Sequence, residues 1–304
     1  MASWLRPLRH RPLLFVLATA MAAAGAFGVV VLLARRLRWV LWGQVLLANP
    51  GGYYTVVLQQ RQSLTHNVRL LRFALPHKRM TLGVSTCQHV YVHAHIGNRV
   101  VVRPYTPVSA RNQRGTFDLV VKVYKAGSSF NHPNGGLMSQ YLDHLMPGDE
   151  LQIQGPKGRF VYEGRGQFQF RNGRKLPQSF QLGIVAAGSG VTPMLQLLGH
   201  IFADPWDQTL VVMLDVNSTV EDIIARDELE GYARRFSKTF SFRSPALPVN
   251  SMRGPLNKDI MATLLPAPHP STVVLCCGPS SLMSNVCSPA LRDIGHKDEQ
   301  VLFF

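Results

Sequence analysis

Acidic side chains are scarce in this chain. Seventeen Asp and Glu stand against 32 Lys and Arg, giving a net charge of +15, and charged residues of all kinds make up 16% of the 304. The shortage excludes an acid-rich, solvating, disordered chain. The excess of base needs a partner or a place: an anionic membrane, an acidic protein or a nucleic acid. No basic run of five or more and no zinc-finger spacing occurs, so the chain does not read as a nucleic-acid binder. Cysteine is also sparse. Cys87, Cys276, Cys277 and Cys287 form neither a disulfide framework nor a metal-site spacing, which fits a reducing compartment. Cys276 and Cys277 are adjacent in an expected strand and point to opposite faces, so they do not pair with each other. His89, His93 and His95 alternate onto one strand face, but no further ligand or carboxylate completes a metal site, and none is expected.

Apolar residues are plentiful, at 46%, and the length suits two domains plus an appendage. Leu13 to Ala34 is a run of 22 residues without a charge, bracketed by Arg6, Arg9 and Arg11 before it and Arg35, Arg36 and Arg38 after it. That length spans a bilayer as a helix. The apolar core of a cleaved signal peptide is shorter, and an Arg-Arg pair follows here at once. Residues 1–38 are therefore expected to be a membrane anchor with basic flanks, and 39–52 a linker. Base on both sides leaves the orientation open. The Arg-rich start also fits a mitochondrial presequence, so the organelle stays open too. Six of the 32 basic residues belong to these flanks; the rest of the charge excess sits on the soluble part.

From Tyr53 to Tyr162 short β-rich runs alternate with turns, at Tyr53–Leu58, Val68–Leu75, His89–Ala94, Arg99–Val102, Phe117–Tyr124 and Leu151–Gln154. This is the pattern of a small antiparallel barrel, expected over 53–163. One helix, Leu137 to Leu145, follows Gly135-Gly136, where glycine lets backbone approach a ligand and the helix start offers free amides to an anion. A plain loop-to-helix junction fits as well. Gly164 to Gln178, rich in Gly, Arg, Asn and Pro, reads as part of a hinge over 164–181. Beyond it, in 182–304, continuous apolar strands alternate with helices. The strands are Leu182–Ala187, Thr209–Leu214, Phe236–Phe242 and Thr272–Cys277; the helices are Met194–Phe202, Thr219–Arg234, Asn257–Leu264 and Ser280–Ile294. That alternation predicts a doubly wound parallel sheet.

Three constellations carry chemistry. Val102-Arg103-Pro104-Tyr105-Thr106-Pro107 places a cation just before the first of two stiff prolines and a ring and a hydroxyl between them. The set suits a cofactor with phosphates at one end and a flat ring at the other, although a stiffened loop with an exposed arginine uses the same residues. Gly188-Ser189-Gly190-Val191-Thr192-Pro193 follows a buried strand and opens a helix, the context of a dinucleotide turn, with Thr192 as a candidate cap and Pro193 in the first turn. It departs from the three-glycine fingerprint, because proline stands in the third place. Cys277-Gly278-Pro279-Ser280 is a second glycine turn at a strand end, where such sheets converge on their ligand. A buried structural cysteine remains the plain alternative for Cys277. Asp215, at the end of the second strand of that sheet, lies where a ribose-binding carboxylate is common.

Taken in order, Arg103-Pro-Tyr-Thr-Pro, Val121-Lys122-Val-Tyr124, Gly135-Gly136-Leu-Met138-Ser139-Gln-Tyr-Leu142, Gly155-Pro-Lys-Gly158, Gly188-Ser-Gly-Val-Thr-Pro-Met194 and Cys277-Gly-Pro279 resemble the NADH–cytochrome b5 reductase family of ferredoxin reductase-like flavoproteins. The resemblance runs from about Tyr53 to Phe304. It implies an FAD-binding β-barrel followed by an NAD-binding α/β domain. It places flavin contacts at Arg103, Pro104, Tyr105, Thr106, Val120, Lys122, Tyr124, Gly136, Met138 and Ser139, with Thr192 reaching across. The nicotinamide side falls at Lys122, Gly188, Gly190, Pro193, Cys277, Gly278 and Pro279. Lys122, Cys277, Thr106 and His66 are the implied catalytic positions, His66 through a suggested hydrogen-bond role near the flavin.

The resemblance further implies hydride transfer from NADH to FAD, then single-electron transfer to an acidic, cytochrome b5-like haem protein attracted by the basic surface. A monomer is expected, held by residues 13–34 on the endoplasmic reticulum or mitochondrial outer membrane with its catalytic part in the cytosol. A quinone or oxygen acceptor, or a non-catalytic scaffold, is the alternative. Three departures stand out: Leu137 replaces a family lysine, Ala187 and Ser189 replace glycine and threonine, and Arg243 lies near a family aspartate. An arginine attracts a 2′-phosphate, so NADPH is expected to be tolerated beside NADH, the alternative being that Asp215 restores an acid nearby.

Overall fold

The computed structural model describes residues 45–127, 133–246 and 255–304. The anchor expected at 13–34 and the first part of the linker, 39–44, lie outside these residues. Among the described residues no helix is long and apolar enough to cross a membrane. Residues 45–304 form one compact unit.

The first half is an antiparallel six-stranded sheet in the order β4-β3-β6-β1-β2-β5. Its strands are β1 (Tyr53–Ser63), β2 (Val68–Ala74), β3 (His89–Ile96), β4 (Arg99–Tyr105), β5 (Thr116–Lys122) and β6 (Glu150–Lys157). The sheet curls until the chain just past β4 meets β5: Pro107 bridges Leu119, and the Val108 N–H donates to the Asp118 carbonyl at 3.0 Å. Period-2 alternation puts Val56, Leu58, Leu71, Phe73, Val90, Val92, Phe117, Leu119 and Ile153 inside, where Phe73 and Phe117 stack at 5.4 Å. Two strands outrun expectation. β1 continues through polar, exposed Gln59–Ser63 because β2 pairs with it as far as Ser63–Arg69. β4 continues through Pro104, which an edge strand tolerates because no neighbour needs its missing N–H. Helix α1 (Leu137–His144) packs against β3, β4 and β5, burying Met138 and Leu142 one turn apart.

The connecting segment is more structured than its composition suggests. Phe160–Gly164 (β7) and Gln167–Phe170 (β8) form a two-stranded ribbon, because Phe168 alternates inward and is fully buried. The second half is a parallel sheet in the order β11-β10-β9-β12-β13, built from β9 (Gln181–Ala187), β10 (Leu210–Val216), β11 (Phe240–Arg243), β12 (Thr272–Cys277) and β13 (Val301–Phe303). Its helices are α2 (Thr192–Ala203), α3 (Arg226–Arg235), α4 (Lys258–Leu264) and α5 (Ser288–Ile294). The helix expected over Thr219–Arg234 is split: a 3-10 turn at Val220–Asp222 precedes α3. Beyond Ser280–Leu282 the final helix widens into a π turn at Met283–Cys287 before α5. The order reverses between β9 and β12, so a crevice opens at their C-terminal ends. One core is shared by both halves: Val68, Val120, Phe160, Tyr162 and Phe168 pack with Leu182, Ile184, Met194 and Leu197.

Candidate functional site

On the barrel side the site begins at the end of edge strand β4. Arg103 and Pro104 are exposed, and Arg103 donates to the carbonyl of Val102 through Nη1 at 2.8 Å. Tyr105 and Thr106 are half-buried beside them. Burial, and then the neighbouring Tyr124, push the Tyr105 phenol up, with Arg103 opposing, so it is a neutral ring. The start of α1 lies against the same strands. The Gly136 N–H donates to the Tyr124 carbonyl (2.8 Å), the Ser139 hydroxyl donates to the Gly136 carbonyl (2.9 Å), and the Tyr124 N–H donates to that hydroxyl (3.1 Å). Gly135 has φ 69, and a Cβ there would run into the Tyr124 carbonyl, so glycine is required. Among the described residues no side chain caps α1, and no acid lies in its first turn, which leaves its leading amides for an anion. Val120 and Met138 are buried, so their side chains supply walls rather than polar contacts.

On the other side, Gly188–Val191 is a 3-10 turn between β9 and α2. Here one expectation is corrected. Thr192 does not cap the helix; it occupies the first turn, buried, and its hydroxyl donates back to the Ser189 carbonyl at 3.1 Å. Pro193 sits in that turn, where its missing N–H costs nothing. A Cβ on Gly190 would strike the Cys277 carbonyl, and one on Gly278 would lie 2.8 Å from the Ala187 Cβ, so the two glycine turns close on each other. Gly188, Cys277 and Gly278 are half-buried and Pro279 is exposed. Burial pushes the Cys277 thiol up to about 12, so it is a neutral thiol and not a thiolate nucleophile.

The halves meet where these two sides face each other. The Tyr124 hydroxyl lies 3.1 Å from Ser189 Oγ. Lys122 Nζ donates to Asp222 Oδ1 at 2.8 Å, both side chains being largely buried, and the Asn67 amide donates to the same oxygen at 3.4 Å. Burial pulls Asp222 upward, but Lys122, Asn67 and Thr219 outweigh it and hold the carboxyl below its usual range. Farther along the seam, Gln196 of α2 accepts the Cys87 N–H at 2.7 Å, and Cys87 is held at φ 72.

The remaining candidates stand apart. Asp215 is fully buried and takes the Asn217 amide at 2.6 Å, so it presents no exposed carboxylate to a ribose; burial pushes it up to about 7. His66 is exposed on the β1–β2 turn, next to Asn67, and no hydrogen bond fixes its ring among the described residues. Arg243 is half-buried at the end of β11, an edge strand, and donates to the Phe242 carbonyl at 3.0 Å. Asp222, Asn67 and Gln196 were not singled out in the sequence. Their partners lie 100 or more residues away, and no local pattern marks them. Cavities of ≈ 310 and ≈ 270 Å³ open around Phe160 and Phe170, and none of the site residues lines them.

The donor set suits an extended anionic cofactor with a flat ring: a guanidinium, uncapped helix amides and glycine-flanked turns at both strand ends. A family model described as "Oxidoreductase FAD-binding domain" matches residues 55–162, and one described as "Oxidoreductase NAD-binding domain" matches 184–288. NADH-cytochrome b5 reductase 1 of Homo sapiens is 38% identical over 264 residues, covering 84% of this chain and 87% of that protein. The chain belongs to the NADH–cytochrome b5 reductase family. NADH-cytochrome b5 reductase 3 of Rattus norvegicus is 35% identical, covering 86% and 89% of the two chains. Among solved structures, the cytochrome b5 reductase domain of Ulva prolifera nitrate reductase superposes with a TM-score of 0.78 at 31% identity, covering 85% of this chain and 99% of that one. Family membership joins the two faces of the seam: an FAD-binding barrel and an NAD-binding sheet module in one compact unit.

Proposed function

We propose that this protein is a membrane-anchored FAD enzyme that takes a hydride from NADH and passes electrons one at a time to a cytochrome b5-like haem protein. The observation that carries the reading is the joining of an FAD-binding half and an NAD-binding half across Tyr124–Ser189 and Lys122–Asp222. When bound, FAD accepts the electron pair and releases single electrons. The protein's part is alignment, because among the described residues no side chain at the seam is poised as a nucleophile. Arg103 and the amides of the first turn of α1, past Gly136, hold the phosphates. Tyr105, Thr106 and Tyr124 border the ring, with Pro104, Val120, Met138 and Ser139 shaping its groove. Lys122, Gly188, Gly190, Thr192, Pro193, Gly278 and Pro279 form the nucleotide side. Half-buried Cys277, a neutral thiol, acts as a steric wall that keeps water from the nicotinamide. His66 reaches the ring only if its exposed imidazole turns inward.

Division of the chain at 53–163 and 182–304 into flavin and nucleotide domains, with 164–181 between them and an anchor in 1–38, completes the reading. The anchor would keep the enzyme on the endoplasmic reticulum or mitochondrial outer membrane, its catalytic part in the cytosol as a monomer. The net charge of +15 steers an acidic acceptor. Arg243 supports tolerance of NADPH. The test is turnover with purified cytochrome b5: NADH-dependent haem reduction that weakens as salt rises is expected. Oxidation of NADH that leaves the haem untouched but reduces quinone or oxygen would replace the proposed acceptor.

A further inference from the structure

We propose that Asp222 is a positioning residue, holding the Lys122 ammonium at the seam and tying it to the β1–β2 turn, so that the nucleotide meets a fixed cation. The inference rests on the function proposed above and names a residue that neither the motifs nor the family resemblance singled out.

Three features of the geometry carry it. First, the contact joins the halves. Lys122 ends β5 of the flavin half, and Asp222 ends the 3-10 turn that follows β10 of the nucleotide half. Second, the carboxylate is fully engaged. Oδ1 accepts from Lys122 at 2.8 Å and from Asn67 at 3.4 Å, and Oδ2 accepts from the Thr219 hydroxyl at 3.1 Å. Third, Asn67 is itself locked to the end of β5, because its carbonyl accepts the Val123 N–H at 2.7 Å. One residue of the β1–β2 turn thus fixes the strand by its backbone and the carboxylate by its side chain.

A lysine stem is long and flexible, and an exposed ion pair would restrain it little. This pair is different: the two side chains are 14% and 19% exposed, and Asp222 stays ionised because its donors outweigh its burial. Asp215, the other acid that Lys122 senses, is fully buried and already takes the Asn217 amide, so it does not substitute. Asp222 therefore sets where the ammonium stands, on a turn that belongs to the nucleotide-binding half.

The test uses the full-length holoenzyme in detergent, with ferricyanide as acceptor and NAD+ binding measured separately by calorimetry. Asp222→Asn should raise KM for NADH and the Kd for NAD+ by about tenfold while kcat stays within about twofold, since an aligned ground-state contact is lost. Asp222→Glu should recover most of that loss. In a Lys122→Met background Asp222→Asn should add nothing, because both act through the same ammonium. Wild-type values of KM and Kd in Asp222→Asn would overturn the proposal, as would a loss that Asp222→Glu does not recover or that adds fully to Lys122→Met. A wild-type protein that binds no FAD and oxidises no NADH would instead refute the underlying function.

Discussion

Asp215 sits fully buried at the end of β10, with one oxygen bonded to Asn217 and the other without a partner among the described residues. Burial pushes its folded value up to about 7 from 3.8. A carboxyl raised in this way contributes stability while both states hold the proton and loses it as pH climbs from the unfolded value through the folded one. Asp215→Asn cannot ionise, so its thermal midpoint should gain on the wild type as pH rises across that window. The gain is at most about 1.4 kcal/mol for each tenfold fall in proton concentration; a constant difference across the window would contradict the assignment. Tyr162 is the second buried polar centre. Its hydroxyl donates to Asp207 at 2.6 Å and accepts the Gly166 N–H at 2.8 Å, which ties the ribbon to the loop before β10. Tyr162→Phe should cost about 1–3 kcal/mol in denaturant titration, because a buried N–H is left unpaired. Arg103, Lys122 and Cys277 stand out in the sequence because their motifs are local. Asp222 and Asn67 do not, because their meaning comes from the register of Val68 with Lys122 and from a turn 100 residues downstream of that lysine.

The two glycine turns show what patterning specifies and what packing adds. Leu182–Ala187 and Thr272–Cys277 read as buried strands because they are unbroken apolar runs, and both are strands of the parallel sheet. The conformation after β9 was not readable in the same way. A threonine before a proline resembles a cap, yet the close approach of Gly190 to the Cys277 carbonyl forces a 3-10 turn that carries Thr192 into the helix. Gly190→Ala should therefore wedge β9 from β12 and weaken NAD+ binding, at a cost of about 1–3 kcal/mol in stability. Calorimetry and melting of the variant check this; wild-type values in both would show that the turns need no close approach. The ribbon β7–β8 escaped a compositional reading because its Gly, Arg and Asn residues mask a single buried alternation at Phe168. The π turn at Met283–Cys287 carries no signal that sequence periodicity could supply.

The halves are one body because they share a core. Phe160, Tyr162 and Phe168 from the ribbon pack with Leu182, Ile184 and Met194 from the sheet. On this rigid base the polar contacts at Tyr124–Ser189 and Lys122–Asp222 set the width of the seam. Under the proposed function the scarcity of acid has a use, since a basic surface steers an acidic electron acceptor. The architecture was readable because barrel alternation and strand–helix alternation differ in period; the closure of the barrel past Pro107 was not, because it depends on a bridge between distant strands. The measurement closest to the central claim is the visible spectrum of the purified full-length protein, taken without oxygen before and after NADH is added. The account predicts FAD in equimolar amount, a yellow band that bleaches on NADH addition, and colour restored by ferric cytochrome b5. A colourless protein that takes up no added FAD and leaves NADH unoxidised would contradict it.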